Sequence, residues 1–314
     1  MNYSGEIMIS EKMNRRKFVK TTSAVLASTL VPWNFAFGSQ NNPLVWEIEG
    51  SVGPTVQKLF EILGGLQTLL PKAPAKSTVL LKPNLCLPHK ESMATTTSVE
   101  LVDSFCEFLL ANEVRKVIIA DHTLQKANRF KRQEIVKLGK KYPSIKVILA
   151  NDQRFYRPVQ VEGKVLKETE TLKLLPKVDL VINLATAKHH TASHVTLAIK
   201  NLMGLVWDRS VFHTEMDLQQ AIGDLALALR PQLNVIDASR VLLNGGPTGP
   251  GPIIEENRVF ASRDILALDS VVASRYNFGG KNLSPKEIPH LAAAYQNGVG
   301  EIDLQKIQLQ KITA

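Results

Sequence analysis

Short, almost uninterrupted runs of apolar and β-branched residues recur along the chain, at Thr78 to Leu81, Val117 to Ala120, Ile145 to Ala150, Val178 to Leu184 and Leu233 to Asp237. Runs this brief, without polar alternation, are what strands buried on both faces look like. Between them the apolar period changes. Val102, Phe105, Cys106, Leu109 and Leu110 recur at helical spacing behind a Ser98 N-cap and stop at Asn112. Similar patterns predict helices over residues 129–141, 217–229, 264–276 and 285–296. Strands alternating with helices predict an α/β fold, a mostly parallel sheet flanked by helices. From Tyr156 to Leu172, Val159, Val161, Gly163 and Val165 alternate with polar neighbours, which predicts a small hairpin inserted between two core strands.

The N-terminus reads differently. Asn14-Arg15-Arg16-Lys17-Phe18-Val19-Lys20 sets an arginine pair ahead of a mildly apolar stretch over 21–37, with small residues around Ala36 and Gly38. This pattern resembles a twin-arginine export signal. Pro32 and Asn34 interrupt it too early for a convincing membrane span, so membrane contact is expected only through an uncleaved signal. The expected organisation is a signal over 1–38 and a single α/β domain over 39–314, its core at 78–275, with a linker at 40–43. Such a chain is periplasmic or otherwise extracytoplasmic, and the twin-arginine translocase is its partner during export. That route carries folded chains, which fits a cofactor inserted beforehand.

Composition changes this picture in two places. The formal charge of +9 invites a nucleic-acid or anionic-lipid surface, but residues 1–38 hold five Lys/Arg against two Glu, a third of the excess. With aromatics at 6%, no nucleic-acid partner is expected. The two cysteines, Cys86 and Cys106, allow one bridge at most and argue against a thiolate-ligated iron–sulfur cluster within one chain.

Functional groups in open α/β sheets collect where strands end and loops begin. Lys82-Pro83-Asn84 follows the first run; the proline ends the strand and would aim Lys82 at the crevice. Thr95-Thr96-Thr97-Ser98 offers hydroxyls and a helix N-terminus, a combination that binds anions. Asp121-His122-Thr123 places a histidine, able to act as acid or base near neutrality, beside a carboxylate that can orient it. The richest segment runs from Lys188-His189-His190 through Thr191, Ser193, His194, Thr196, Lys200 and Asn201 to Gly204, and holds three of the seven histidines. If the chain is helical from Thr191, His190 and His194 share a face as metal-binding pairs do, although no HExxH carboxylate accompanies them. Trp207-Asp208-Arg209 and His213 could add a base or ligand. The loop Asn244-Gly245-Gly246-Pro247-Thr248-Gly249-Pro250-Gly251 can turn backbone N–H groups toward an anion, but has neither GxGxxG spacing nor a Walker lysine. Each feature also has a plain structural reading: a snorkelling lysine, capping threonines, a loop histidine, a tight connection.

Taken in order, Lys82-Pro83-Asn84, the threonine stretch, Val178-Asp179-Leu180-Val181-Ile182-Asn183 leading to Lys188-His189-His190, Thr196 through Gly204 with its Lys200-Asn201-Leu202-Met203-Gly204 element, and Gly245 through Gly249 resemble the family catalogued as domain of unknown function 362. Residues 264–269 resemble its closing motif. A second likeness is more distant: Val117 to Thr123, and His190 ten positions ahead of Lys200, are similar to the N-terminal part of nickel-pincer lactate racemases. That resemblance implies His122 and His190 as an acid–base pair, Lys200 as anchor of a pyridinium-derived cofactor, and His213 as a metal ligand. The racemase's glycine-rich run is replaced here by Thr191-Ala192-Ser193-His194-Val195.

The expectation is an exported enzyme acting by acid–base or metal-assisted chemistry on a small anionic substrate. His122, His190 and Lys200 would be catalytic, and Lys82, Asn84, Thr96, Lys188, Asn201, Gly246 and Thr248 would bind substrate. His194 and His213 are the candidates for a metal, and a metal or a covalent cofactor stays open. The alternative is a non-catalytic ligand- or cofactor-binding protein of the cell envelope.

Overall fold

The computed structural model describes residues 42–124 and 134–314, so the signal, the start of the linker and residues 129–133 of one predicted helix lie outside the described residues. The strands are β1 (Leu44–Glu49), β2 (Thr78–Pro83), β3 (Lys116–Asp121), β4 (Ile145–Leu149), β5 (Tyr156–Gln160) and β6 (Glu168–Leu172). They continue with β7 (Leu180–His190), β8 (His194–Thr196), β9 (Leu233–Leu242), β10 (Ile253–Ser262) and β11 (Gln308–Thr313). The main sheet runs β11-β1-β10-β9-β7-β2-β3-β4, with β8 folded back on β7, while β5 and β6 form a separate antiparallel pair. From β9 to β4 every neighbour is parallel, whereas β10 is antiparallel to both β9 and β1, and β11 is parallel to β1. The five continuous apolar runs are thus the five parallel strands, and the alternating stretch is the inserted hairpin.

The helices are α1 (Val52–Ile62), α2 (Val99–Ala111), α3 (Glu134–Lys141), α4 (Ala198–Asn201), α5 (Ser210–Thr214), α6 (Leu218–Ala228), α7 (Ile265–Arg275) and α8 (Pro289–Gln296). Side chains at Ser98, Asp217 and Asp264 cap α2, α6 and α7 as their positions predict. The predicted helix over 285–296 is split, Pro285–Glu287 forming a separate 3-10 turn before Pro289 opens α8.

Strand alternation divides the side chains between two faces. Val79 and Leu81 of β2, Ile182 and Leu184 of β7, and Leu233 and Val235 of β9 join Leu59 and Phe60 of α1 and Val102 and Phe105 of α2 in one apolar core. On the other face, Lys82, Asn183 and Asn234 stand in register on β2, β7 and β9, under α4. Asn201 of α4 ties this row together: its Nδ2 donates to Asn183 Oδ1 at 2.8 Å, and Asn183 Nδ2 donates to Asn234 Oδ1 at 3.1 Å. All four side chains are buried, so their polar groups satisfy one another inside the protein.

Two possibilities that the sequence leaves open are closed here. Between Thr191 and Thr196 the chain is not helical: β7 runs to His190, turns, and returns as β8, so His190 and His194 face each other across a strand pair. No bridge forms either, because Cys86 and Cys106 are both free thiols, with Cys106 packed in the apolar core.

Candidate functional site

The carboxyl ends of β2, β3, β7 and β9 surround a cavity of about 280 Å³. Its wall takes Asn84 and Cys86 from beyond β2, Asp121 from the end of β3, Lys188 and His190 from β7, and Pro247 and Thr248 from the loop after β9. Thr196, Lys200, Asn201, Met203 and Gly204 come from β8 and the turns that follow, and Arg209, Ser210 and His213 close the far side. This is where open parallel sheets place ligands.

Asp121 ties this wall to a lysine beneath it in a fully buried ion pair. Lys82 Nζ is 2.8 Å from Asp121 Oδ1, with the two side chains 0% and 2% exposed. Lys82 also donates to Pro83 O at 2.6 Å and Asn201 Oδ1 at 3.2 Å, and Asp121 Oδ2 accepts from Leu85 N–H at 2.6 Å. Burial pushes the Lys82 ammonium below the usual lysine range, while the Asp121 charge pulls it back. Gly204 permits this packing: a Cβ there would fall 1.9 Å from Asp121 Oδ1 and 2.7 Å from Lys82 Nζ. Asp269, buried in α7, accepts from the N–H groups of Ala198 and Ile199 at 2.8 and 2.9 Å and so seats α4, which carries Lys200 and Asn201.

The remaining cations have no carboxylate within ion-pair distance among the described residues. Lys188, 2% exposed, donates to Thr95 O at 2.6 Å; Lys200 lies 2.9 Å from Met203 Sδ; Arg209 Nη1 is 3.8 Å from Cys86 Sγ. Burial, with neighbouring positive charge, lowers both Lys188 and Lys200 from 10.5 to about 8. Thr196, Asn84 and Arg209 line the same space, and Thr196 Oγ1, Asn84 Oδ1 and Arg209 Nε are buried without a hydrogen-bond partner. Clustered cations and orphaned polar atoms are costly unless something completes them.

The histidines are fixed differently. His190 Nδ1 accepts from the N–H groups of Ala192 and Ser193 at 3.1 and 3.3 Å, so its proton resides on Nε2. Burial and the charges of Lys200 and Lys188 push its pKa down to about 3. It is therefore a neutral hydrogen-bond donor at physiological pH. His213 is likewise held below the usual histidine value, by burial and by Lys200. His122 lies outside the cavity wall: its Nδ1 donates to Val206 O at 2.9 Å, and its ring stacks on Trp207 with centroids 5.2 Å apart.

Of the residues read from the sequence, Asn84, Lys188, His190, Lys200, Asn201, His213 and Thr248 meet at the cavity, and Lys82 lies under it. His122, His194, Thr96 and Gly246 do not line it. The helix N-terminus beside Thr96 is closed to an outside anion, because Asp237 accepts from Ser98 N–H at 2.7 Å and Glu91 accepts from Val99 N–H. Gly246 serves the backbone: a Cβ there would meet His189 O at 1.7 Å. Among the described residues, no group of three or more His, Cys, Asp or Glu side chains is placed to hold a metal. Cys86 was missed, having been read only as half of a bridge, and Asp121 was read only as a partner for His122.

Fold and site together define an α/β protein with a basic cavity at the carboxyl end of its parallel strands. The model of the family described as Domain of unknown function (DUF362) matches residues 79–274, and the chain belongs to that family. A thylakoid-associated protein of Synechocystis sp. is 29% identical over 128 residues; the match spans 38% of this chain and 38% of that protein. The lactate racemase apoprotein of Thermoanaerobacterium thermosaccharolyticum aligns with a TM-score of 0.44 and 13% identity, covering 71% of this chain and 54% of that one.

Proposed function

We propose that the protein is an enzyme that binds a small anionic molecule, a carboxylate or phosphate, in this cavity and acts on it by acid–base chemistry. The carrying observation is the set of cations, Lys188, Lys200 and Arg209, gathered without an ion-paired carboxylate at a cavity that Thr196 and Asn84 also line, whose Oγ1 and Oδ1 are unmet. A bound anion would supply the missing counter-charge, and the 280 Å³ cavity suits a molecule of a few heavy atoms. Lys188 and Lys200, with pKa values of about 8, pass between ammonium and amine near neutral pH, as a proton-exchanging group must. His190 cannot take a proton at Nε2, which already carries one; it donates a hydrogen bond and stabilises negative charge developing on the substrate.

The cofactor implied by the racemase likeness fits this wall poorly. Of the two histidines that likeness implies as the acid–base pair, His190 lines the cavity but His122 does not, being held by Val206 and Trp207. Export through the twin-arginine translocase to the periplasm belongs to the same reading and is supported by the Arg15-Arg16 pattern.

Calorimetric titration with oxalate and with inorganic phosphate at pH 7 tests the anion seat. Lys188→Met and Lys200→Met should each weaken binding about 10- to 100-fold, the worth of one charge-assisted hydrogen bond. Absence of binding by either anion removes the proposal. Binding without turnover of any carboxylate or phosphate ester would leave the binding-protein alternative.

A further inference from the structure

Cys86 lies just beyond β2 on the wall of the cavity, half-buried, with Leu124 N–H donating to its carbonyl at 3.1 Å. Arg209 Nη1 is 3.8 Å from its Sγ, and Lys82, Lys188 and Lys200 are all within its electrostatic reach. Two side chains that line the same space each carry a polar atom that calls for a partner. Thr196 and Asn84 are 3% and 5% exposed, and neither Thr196 Oγ1 nor Asn84 Oδ1 has a hydrogen-bond partner. An unmet hydroxyl, an unmet amide oxygen and uncompensated cations seat a molecule that brings both an anionic group and further polar atoms. Such a molecule is held beside a thiol.

We propose that Cys86 is a nucleophile of this site, directed at small carboxylates that carry an electrophilic carbon, of which 2-oxo acids are the simplest. The proposal rests on the anion-binding reading above. In the step, the Sγ–C bond forms as the carbonyl π bond breaks, the π electrons move onto oxygen, and the thiol proton ends on that oxygen. Nothing is oxidised or reduced, and no group leaves. The cations hold the carboxylate, so the thiol meets the carbonyl carbon at high effective concentration.

The test uses two alkylating probes of similar size and different charge, iodoacetate and iodoacetamide, on the full chain at pH 7, with adducts located by peptide mass. With either probe the Sγ–C bond forms, the C–I bond breaks, iodide leaves with its electron pair, and the thiol proton goes to solvent. The ratio of the two rates does not depend on how much of the thiol is ionised, so comparison with glutathione isolates the charge of the cavity. At Cys86 the iodoacetate-to-iodoacetamide ratio should exceed that of glutathione about tenfold. It should fall toward glutathione's value in Arg209→Leu, with no adduct at core-buried Cys106. Glyoxylate should slow iodoacetamide modification of Cys86 more than acetate does. A ratio at or below that of glutathione, or equal protection by glyoxylate and acetate, overturns the proposal. Oxalate titrated into Cys86→Ser separates the two readings. Retained oxalate binding with a failed rate ratio removes the nucleophile alone, whereas no binding in variant or wild type removes the anion seat and this proposal with it.

Discussion

Replacing Lys82 by methionine is the sharpest probe of the ground on which the cavity stands. Methionine keeps much of the unbranched stem but removes the ammonium, leaving Asp121 in the cavity wall without its ion-pair partner. Because the two side chains are 0% and 2% exposed, water does not screen the loss. Breaking a buried pair by removing one partner costs about 3–5 kcal/mol. Pro83 O and Asn201 Oδ1 lose a donor at the same time, which places the value toward the upper end. For a domain of this size each kcal/mol moves Tm by about 2–4 °C, so Lys82→Met should melt roughly 6–20 °C below wild type. Asp121→Asn keeps an oxygen for Leu85 N–H while removing the stranded charge. The double variant should therefore be more stable than the two single losses summed, by about 2 kcal/mol. Urea unfolding followed by circular dichroism gives all four corners of the cycle. A Lys82→Met cost below about 1 kcal/mol, or strictly additive losses, would show that the pair does not support the site.

Four further outcomes follow from the same geometry. Oxalate affinity, measured by calorimetry from pH 6 to 10, should be flat below pH 7 and fall above about 8, as Lys188 and Lys200 lose their charge. Lys188 carries a folded pKa of about 8 against an ordinary 10.5, so between these values the unfolded chain binds the extra proton and stability rises with pH. Wild type should accordingly gain on Lys188→Met across that window in chemical denaturation, and a constant difference between them would contradict the assignment. Asp269→Ala leaves the N–H groups of Ala198 and Ile199 unmet and should cost about 2–4 kcal/mol in urea unfolding while weakening oxalate binding through α4. Replacing Arg15 and Arg16 together by lysine should retain the protein in the cytoplasm on cell fractionation, and unchanged export would remove the twin-arginine reading.

What the sequence disclosed follows from how each element meets water. The parallel strands were legible because burial on both faces removes polar alternation; β2 is buried along its whole length. β1, β10 and β11 were missed. They lie on the antiparallel side, where polar residues interrupt the apolar run, and edge strand β11 is exposed at four consecutive positions, Gln308 to Lys311. His190 and His194 show the limit of spacing alone, since i and i+4 sit together on a helix and also across a tight strand return. Alternation at strand ends explains the rest. Asp121 lines the cavity, and His122, one position later, is directed to Val206 and Trp207. Lys188 and His190 share a parity and reach the cavity, while His189 between them accepts a hydrogen bond from Gly246 N–H at 3.1 Å. A titratable residue at a strand end is thus half an assignment; the other half is which side of the sheet its position selects. Applied to β3 and β7, that rule accounts for Asp121, Lys188 and His190 lining the cavity while His122 and His189 are turned to the backbone around it.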